Sequence, residues 1–298
     1  MGTSASSKGP LGGVPMVPPW VPDPVPTPEP PPDRDGAGPA DGGGQDGQQT
    51  PGQNQPAPQT APTAPAAQRP SPIAPAARFG GARLSLGRFA SSGDLRDMQR
   101  GLRHYVRSGY GGGGTAVRRF GGTASTAGAL YGALSSVAGG QAPSAGSPLD
   151  PVLLAGRSAR EIMDAVVEAA RPADGTQDAE AGRAAIKDAL SELLTMFPQA
   201  DLLNLNEDQR GFAIERFVAI DVYRRFQLDL GKTIQDKAPT ATVGLARLKE
   251  VKNYIKETVA AAFRRLRAAG SRVTTGRVNE FVRAALSETF QVFEGYAR

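Results

Sequence analysis

The residue best suited to covalent chemistry stands at the start of the chain. Met1-Gly2-Thr3-Ser4-Ala5-Ser6-Ser7 leads through Gly9-Pro10 to Val14-Pro15-Met16-Val17-Pro18-Pro19-Trp20, which holds the only tryptophan. Glycine is small enough for the methionine before it to be removed, leaving a free α-amine on Gly2. Such an amine has an ordinary pKa of about 7.7–8.0, against about 10.4 for lysine, so at neutral pH a useful fraction is the uncharged nucleophile. Glycine has no Cβ, and Thr3, Ser4, Ser6 and Ser7 add little bulk, so this end can enter a narrow groove. The pattern suits an acceptor for an activated acyl group, with Thr3, Ser4 and Trp20 as the recognition handle within residues 1–22. The plain alternative is an ordinary disordered terminus.

Other chemistry has fewer residues to draw on. There is no cysteine, which excludes disulfides and thiolate metal sites, and His104 is the only histidine. Catalytic triads need a histidine base, and most zinc sites need more than one His or Cys ligand. His104 sits among Arg100, Arg103 and Arg107, whose charge opposes imidazolium formation. It reads as a surface or helix-face histidine. Gly109-Tyr110-Gly111-Gly112-Gly113-Gly114-Thr115 lacks the lysine and the preceding strand of a phosphate loop, and reads as a flexible hinge. Gly121-Gly122-Thr123 is equally weak. Glu215, Asp221 and Asp229 share a predicted helix with Arg216, Arg224 and Arg225, at spacings that allow pairs such as Asp221–Arg225. A solvated, salt-bridged face is the expectation there rather than a paired-carboxylate hydrolase. Met1-Gly2 followed by Ser6 fits a short and common acylation pattern, but the composition looks bacterial, where that modification is not expected. No catalytic residue, metal site or intrinsic cofactor is assigned, and the chain reads as a non-enzyme.

Charge gives one further candidate. Residues 79–140 hold eight arginines, no lysine and two acids, a net +6 that exceeds the +5 of the whole chain. Guanidinium forks suit phosphate, so Arg100, Arg103, Arg107, Arg118 and Arg119 are possible nucleic-acid or phosphate contacts. The bland alternative is a GC-rich coding bias, with these arginines meeting acidic partners. Residues 141–298 come to +1 and carry no such footprint.

These residues need elements to hold them. Of the 26 prolines, 20 lie between Pro10 and Pro75, and from Asp33 to Ala77 only Ile73 is a large apolar residue. Such a segment cannot offset an ordering cost of roughly 1–2 kcal/mol per residue. Residues 1–78 therefore read as a disordered Pro/Gly-rich tail, with polyproline II stretches near Pro22–Pro32. Behind it come an Arg-rich helical segment, 79–140, and an α-helical domain, 141–298. Leu95, Met98, Leu102, Tyr105 and Val106 keep helical spacing behind Asp94. Thr115–Val137 reads as one helix of small residues. Ser158 with Glu161 and Asn206 with Gln209 read as helix starts, and Gly231 reads as a stop. Thr242–Ala269 and Thr275–Tyr296 close the chain. Period-2 alternation is nearly absent, so the expected fold is all-α, an irregular bundle of about seven helices. There is no apolar run of 18 residues and no secretory signal pattern, so a cytoplasmic protein with no membrane partner is expected.

The opening residues and the Val14–Trp20 patch resemble the QatB family of the bacterial Qat anti-phage defence system. So do Ala77-Arg78-Phe79, Gly87-Arg88-Phe89, Tyr105-Val106 and Arg118-Arg119-Phe120-Gly121. The resemblance covers most of the chain, and no catalytic motif carries it. It implies a non-enzymatic member of a multi-gene operon with an ATPase, a QueC-like enzyme and a TatD-like nuclease as partners. QueC-type enzymes use ATP to activate the carboxylate of a 7-deazaguanine and pass it to an amine. By this resemblance the QueC-like partner joins a 7-deazaguanine to Gly2 as a covalent amide, and the helical body binds the other proteins. The competing function is an Arg-rich nucleic-acid-binding adaptor for the defence ATPase or nuclease.

Overall fold

Local signals in the chain set most of the helix ends. The computed structural model describes residues 77–139 and 147–296. Residues 1–76, with Gly2, Thr3, Ser4 and Trp20, lie outside the described residues. Ala77 and Arg78 form a turn closed by the Gly80 N–H on the Ala77 carbonyl at 2.8 Å. From it runs α1 (Gly80–Ser92), ended by Gly93 at φ +79°, a left-handed position that favours glycine. The Asp94 carboxylate accepts the Arg96 N–H at 2.9 Å and starts α2 (Leu95–His104). A single π-turn, Tyr105–Gly109, continues that helix. Next come α3 (Gly113–Arg119), α4 (Gly121–Ala138) and the one-turn α5 (Pro151–Leu154).

The second half shows both expected capping boxes. Ser158 and Glu161 form a reciprocal capping box on α6 (Ala159–Ala170), and Thr176 caps α7 (Gln177–Met196). Asn206 and Gln209 form a second box on α8 (Glu207–Phe226). A second π-turn, Gln227–Gly231, joins α8 to α9 (Lys232–Lys237). Thr240 caps α10 (Ala241–Ala268), and α11 (Val278–Glu294) is the last helix. Among the described residues there is no strand, and no helix is long and apolar enough to cross a membrane.

Three expectations about helices change. Thr115–Val137 is not one helix: the chain turns at Phe120, whose ring is fully buried 5.1 Å from the Phe290 ring. Gly231 does not end its helix. It keeps φ −58° and is buried, and a Cβ there would come 3.0 Å from Gln227 Cγ and 3.9 Å from Leu248 Cδ2. Glycine here relieves crowding by the Gln227 side chain one turn back, and the stop falls at Ala238, in the extended conformation that Pro239 imposes on its neighbour. The last helix begins at Val278 rather than Thr275.

α8 is the central element, packed against α4, α7 and α10, and it buries side chains all round. One apolar core runs through both halves of the described chain. It joins Leu86, Phe89 and Tyr105 to Ile214, Phe226, Phe263 and Phe290. At roughly 25 cal/mol per Å² of apolar surface, this burial is the main stabilising force.

A glycine sets one close contact. The π-turn presents Gly109 to the buried Phe79 ring, and a Cβ at Gly109 would lie 2.4 Å from Phe79 Cδ1 and Cε1. Gly109→Ala should therefore destabilise the protein by about 1–3 kcal/mol through overpacking, outweighing a helix-propensity gain of at most about 1 kcal/mol. Urea unfolding checks this, with Gly114→Ala as control. Gly114 is exposed with nothing within 4 Å of its added Cβ, so that variant should not lose stability.

Candidate functional site

The two π-turns meet around Asp229. Tyr105, at the start of the first turn, is 1 % exposed and donates its hydroxyl to Asp229 Oδ2 at 3.0 Å. Tyr110, just past that turn, donates to the same oxygen at 2.9 Å. Phe79 stacks on Tyr105 at 5.4 Å, and Tyr105 meets Phe226 edge-on at 5.4 Å. π-Turns often mark functional sites, because the extra residue re-aims side chains that an α-helix would hold elsewhere. Here they aim two phenols and a carboxylate at one point.

Burial dominates the acid–base behaviour of the pair. It pushes the Tyr105 hydroxyl well above 10, and the neighbouring Tyr110 and Asp229 add to the effect. The Tyr110 hydroxyl is pushed up to about 12, by burial first and Asp229 second. Both phenols are therefore neutral donors near pH 7, and neither serves as a base there.

Three guanidinium groups surround this node. Arg78 lies 4.3 Å over the Phe79 ring and 5.3 Å over Tyr110, with Asp229 Oδ1 3.9 Å away. Arg119 lies 6.0 Å over Tyr110. Arg225 lies 5.1 Å over Phe120 and reaches Asp221 at 3.4 Å and Asp178 at 3.5 Å. Asp221 also accepts the Thr123 hydroxyl at 2.5 Å. Arg78, Tyr110, Arg119, Arg225 and Asp229 line a cleft of about 330 Å³.

The acids of α8 require a correction. The expected Asp221–Arg225 pair forms, but not on a solvated face. Asp221 is 2 % exposed and Glu215 is 7 % exposed, because α8 is enclosed by its neighbours. Burial pushes the Asp221 carboxyl above its ordinary 3.8, while Arg225 and the Thr123 hydroxyl pull it back. Burial likewise raises Glu215, offset chiefly by Arg267, whose Nη2 donates to Glu215 Oε2 at 3.2 Å.

The five arginines singled out by charge do not form one patch on the cleft. Arg100 is half-buried and paired with Asp97 at 2.8 Å. Arg103 is half-buried, Arg107 is exposed, and Arg118 is exposed and donates to Thr115 Oγ1 at 2.8 Å. Only Arg119 lines the cleft. His104 stands against Gly81, and its pKa is lowered by burial first and then by Arg103 and Arg100. The glycine run after Tyr110 is a turn, with Gly111 and Gly112 at φ +79° and +96°. It leads into α3, where the Gly113 N–H donates to Glu294 Oε1 at 2.9 Å. Among the described residues, no group of three or more His, Cys, Asp and Glu is placed to hold a metal ion.

Sequence reasoning missed Arg78, Tyr105, Tyr110 and Asp229 as one constellation. The Tyr–Asp bonds span 124 and 119 residues, so no spacing rule joins them. Four of the cleft and node residues (Arg78, Phe79, Tyr105 and Arg119) do belong to the short motifs quoted above for the family resemblance.

The fold and this node define a class: an all-helical body whose polar centre is a cluster of arginines, aspartates and tyrosines around a small cleft. A family model described as QatB, Qat anti-phage system associated protein, matches residues 111–293, more than half of the chain, and the chain belongs to this family. The matched span holds Arg119, Thr123, Asp221, Arg225 and Asp229, and begins one residue after Tyr110. No curated protein and no solved structure matches the chain.

Proposed function

We propose that this chain serves the Qat anti-phage system as a protein substrate and binding partner. Its Gly2 amine, freed by removal of Met1, accepts a 7-deazaguanine acyl group from a QueC-like enzyme. ATP activates the deazaguanine carboxylate as an acyl-adenylate, with loss of pyrophosphate. The Gly2 nitrogen attacks the acyl carbon, AMP leaves with the C–O bond electrons, and the nitrogen loses a proton as the amide forms. Thr3, Ser4 and Trp20 dock the tail on the modifying enzyme. The helical body binds the ATPase or the TatD-like nuclease.

Family membership combined with the Met1-Gly2-Thr3-Ser4 start carries this reading. The reaction needs the neutral amine, so its rate should climb about tenfold per pH unit below about 7.7 and level off above 8. Single-turnover conjugation followed by mass spectrometry from pH 6 to 9 checks that profile, the range being chosen to bracket the ordinary α-amine pKa of about 7.7–8.0. A flat profile would count against α-amine attack.

Exposed Arg107 and Arg118 keep the nucleic-acid adaptor as a second reading. In that case DNA or RNA affinity should fall steeply with salt and be lost when Arg100, Arg103 and Arg107 are neutralised.

A further inference from the structure

The cleft beside Asp229 has the chemistry of a site for one oxyanion. Arg78, Arg119 and Arg225 reach it from the turn before α1, the end of α3 and the end of α8. Their pairing with protein acids is loose. Arg78 stands 3.9 Å from Asp229, and Arg225 stands 3.5 Å from Asp178 and 3.4 Å from Asp221. Charge-assisted bonds close to about 2.7–2.9 Å when fully made. Arg225 Nε is buried and has no acceptor in hydrogen-bonding geometry, although Asp221 lies nearby. Arg119 has no acidic partner among the described residues, only the Tyr110 face at 6.0 Å. Donor capacity is therefore left over at three forks.

Two of the forks are also oriented before any ligand arrives: Arg78 lies over Phe79 and Arg225 over Phe120, while exposed Arg119 stands at the edge of such contact with Tyr110. Stacking orients a planar guanidinium and lowers the entropy lost on binding. Asp229 is the acid nearest the node, and two tyrosine hydroxyls and Arg78 already share its charge.

We propose that this cleft binds the phosphate group of a small phosphate monoester, held by Arg78, Arg119 and Arg225. The volume of about 330 Å³ falls at the lower end of the roughly 300–1,000 Å³ typical of small-molecule sites. Asp178 and Asp229 also line the cleft. They would repel the neighbouring phosphates of a polynucleotide, yet they can accept hydrogen bonds from a hydroxyl or amine on a single ester. The site is independent of the Gly2 reaction, since every group in it belongs to the helical body.

Isothermal titration of the full chain with AMP, adenosine and inorganic phosphate tests the proposal. AMP should bind saturably, inorganic phosphate more weakly in competition with it, and adenosine not at all. Arg119→Gln should weaken AMP binding about tenfold or more, the loss of one charge-assisted contact. Arg119 is exposed and supports no buried acid, so this variant should keep its helicity. Arg96→Gln, exposed and outside the cleft, should bind AMP as the wild type does. Adenosine binding as well as AMP, or Arg119→Gln binding AMP unchanged, would overturn the proposal. So would a single-stranded oligonucleotide that binds while AMP and phosphate do not, because it would assign these arginines to a polyanion surface.

Discussion

Asp221→Ala should destabilise the helical body by about 3 kcal/mol, the lower end of the range for breaking a buried charge pair. Asp221 is 2 % exposed, accepts the Thr123 hydroxyl and forms an ion pair with Arg225 at 3.4 Å. Without it, a hydroxyl and a largely buried guanidinium lose their partner in the core, which costs more than the pair itself contributed. Asp178 softens the loss, because it still offers Arg225 a carboxylate at 3.5 Å, but its side chain is 60 % exposed and water screens the contact. In a body of this size the melting temperature should drop by roughly 6–12 °C, at about 2–4 °C per kcal/mol. Asp178→Ala, removing the screened partner alone, should cost only about 0–1 kcal/mol. Calorimetry of the two variants side by side checks the contrast. Equal, small losses would mean that Asp221 is solvated and that α8 is not the enclosed centre of the fold.

Gly2→Pro should abolish conjugation while leaving the fold intact. Proline gives a secondary amine inside a ring, which crowds the attacking nitrogen and cannot follow glycine into a narrow groove. The helical core begins at Phe79, well beyond the substitution, so circular dichroism and thermal unfolding should match the wild type. In cells carrying the complete operon, the variant should give only unmodified N-terminal peptide. Full modification of Gly2→Pro would move the acceptor elsewhere, with the lysine side chains as the next amines to examine.

The sequence and the structure agree best where the signal is local. The Ser158–Glu161 and Asn206–Gln209 boxes need only four consecutive residues, and both form as their spacing implies. The all-helical class follows from apolar periodicity and is likewise legible. Signals that depend on a distant neighbour mislead. Gly231 looks like a helix stop, yet the chain stays helical through it at φ −58° and stops where Pro239 sets the backbone. Asp221 looks like half of a surface ion pair, since arginines flank it. It nevertheless falls seven residues after Ile214 and three or four after Val218 and Phe217, on the stripe that the core buries. That position was readable, and the neighbouring charges concealed it. The Tyr105–Tyr110–Asp229 node was not readable, because it exists only once two π-turns more than a hundred residues apart are brought together. Arginine content drew attention to Arg100, Arg103, Arg107, Arg118 and Arg119, but charge density alone does not separate Arg119, on the cleft, from Arg100, tied to Asp97.

The most direct test of the central claim is the mass of the N-terminal peptide from the full chain, made with and without its operon neighbours. The account predicts a peptide beginning at Gly2 that carries one 7-deazaguanine acyl group on its α-nitrogen when the QueC-like enzyme is present. The same peptide should be free when that enzyme is absent. A Gly2 amine that stays unmodified in the presence of the complete operon would contradict it.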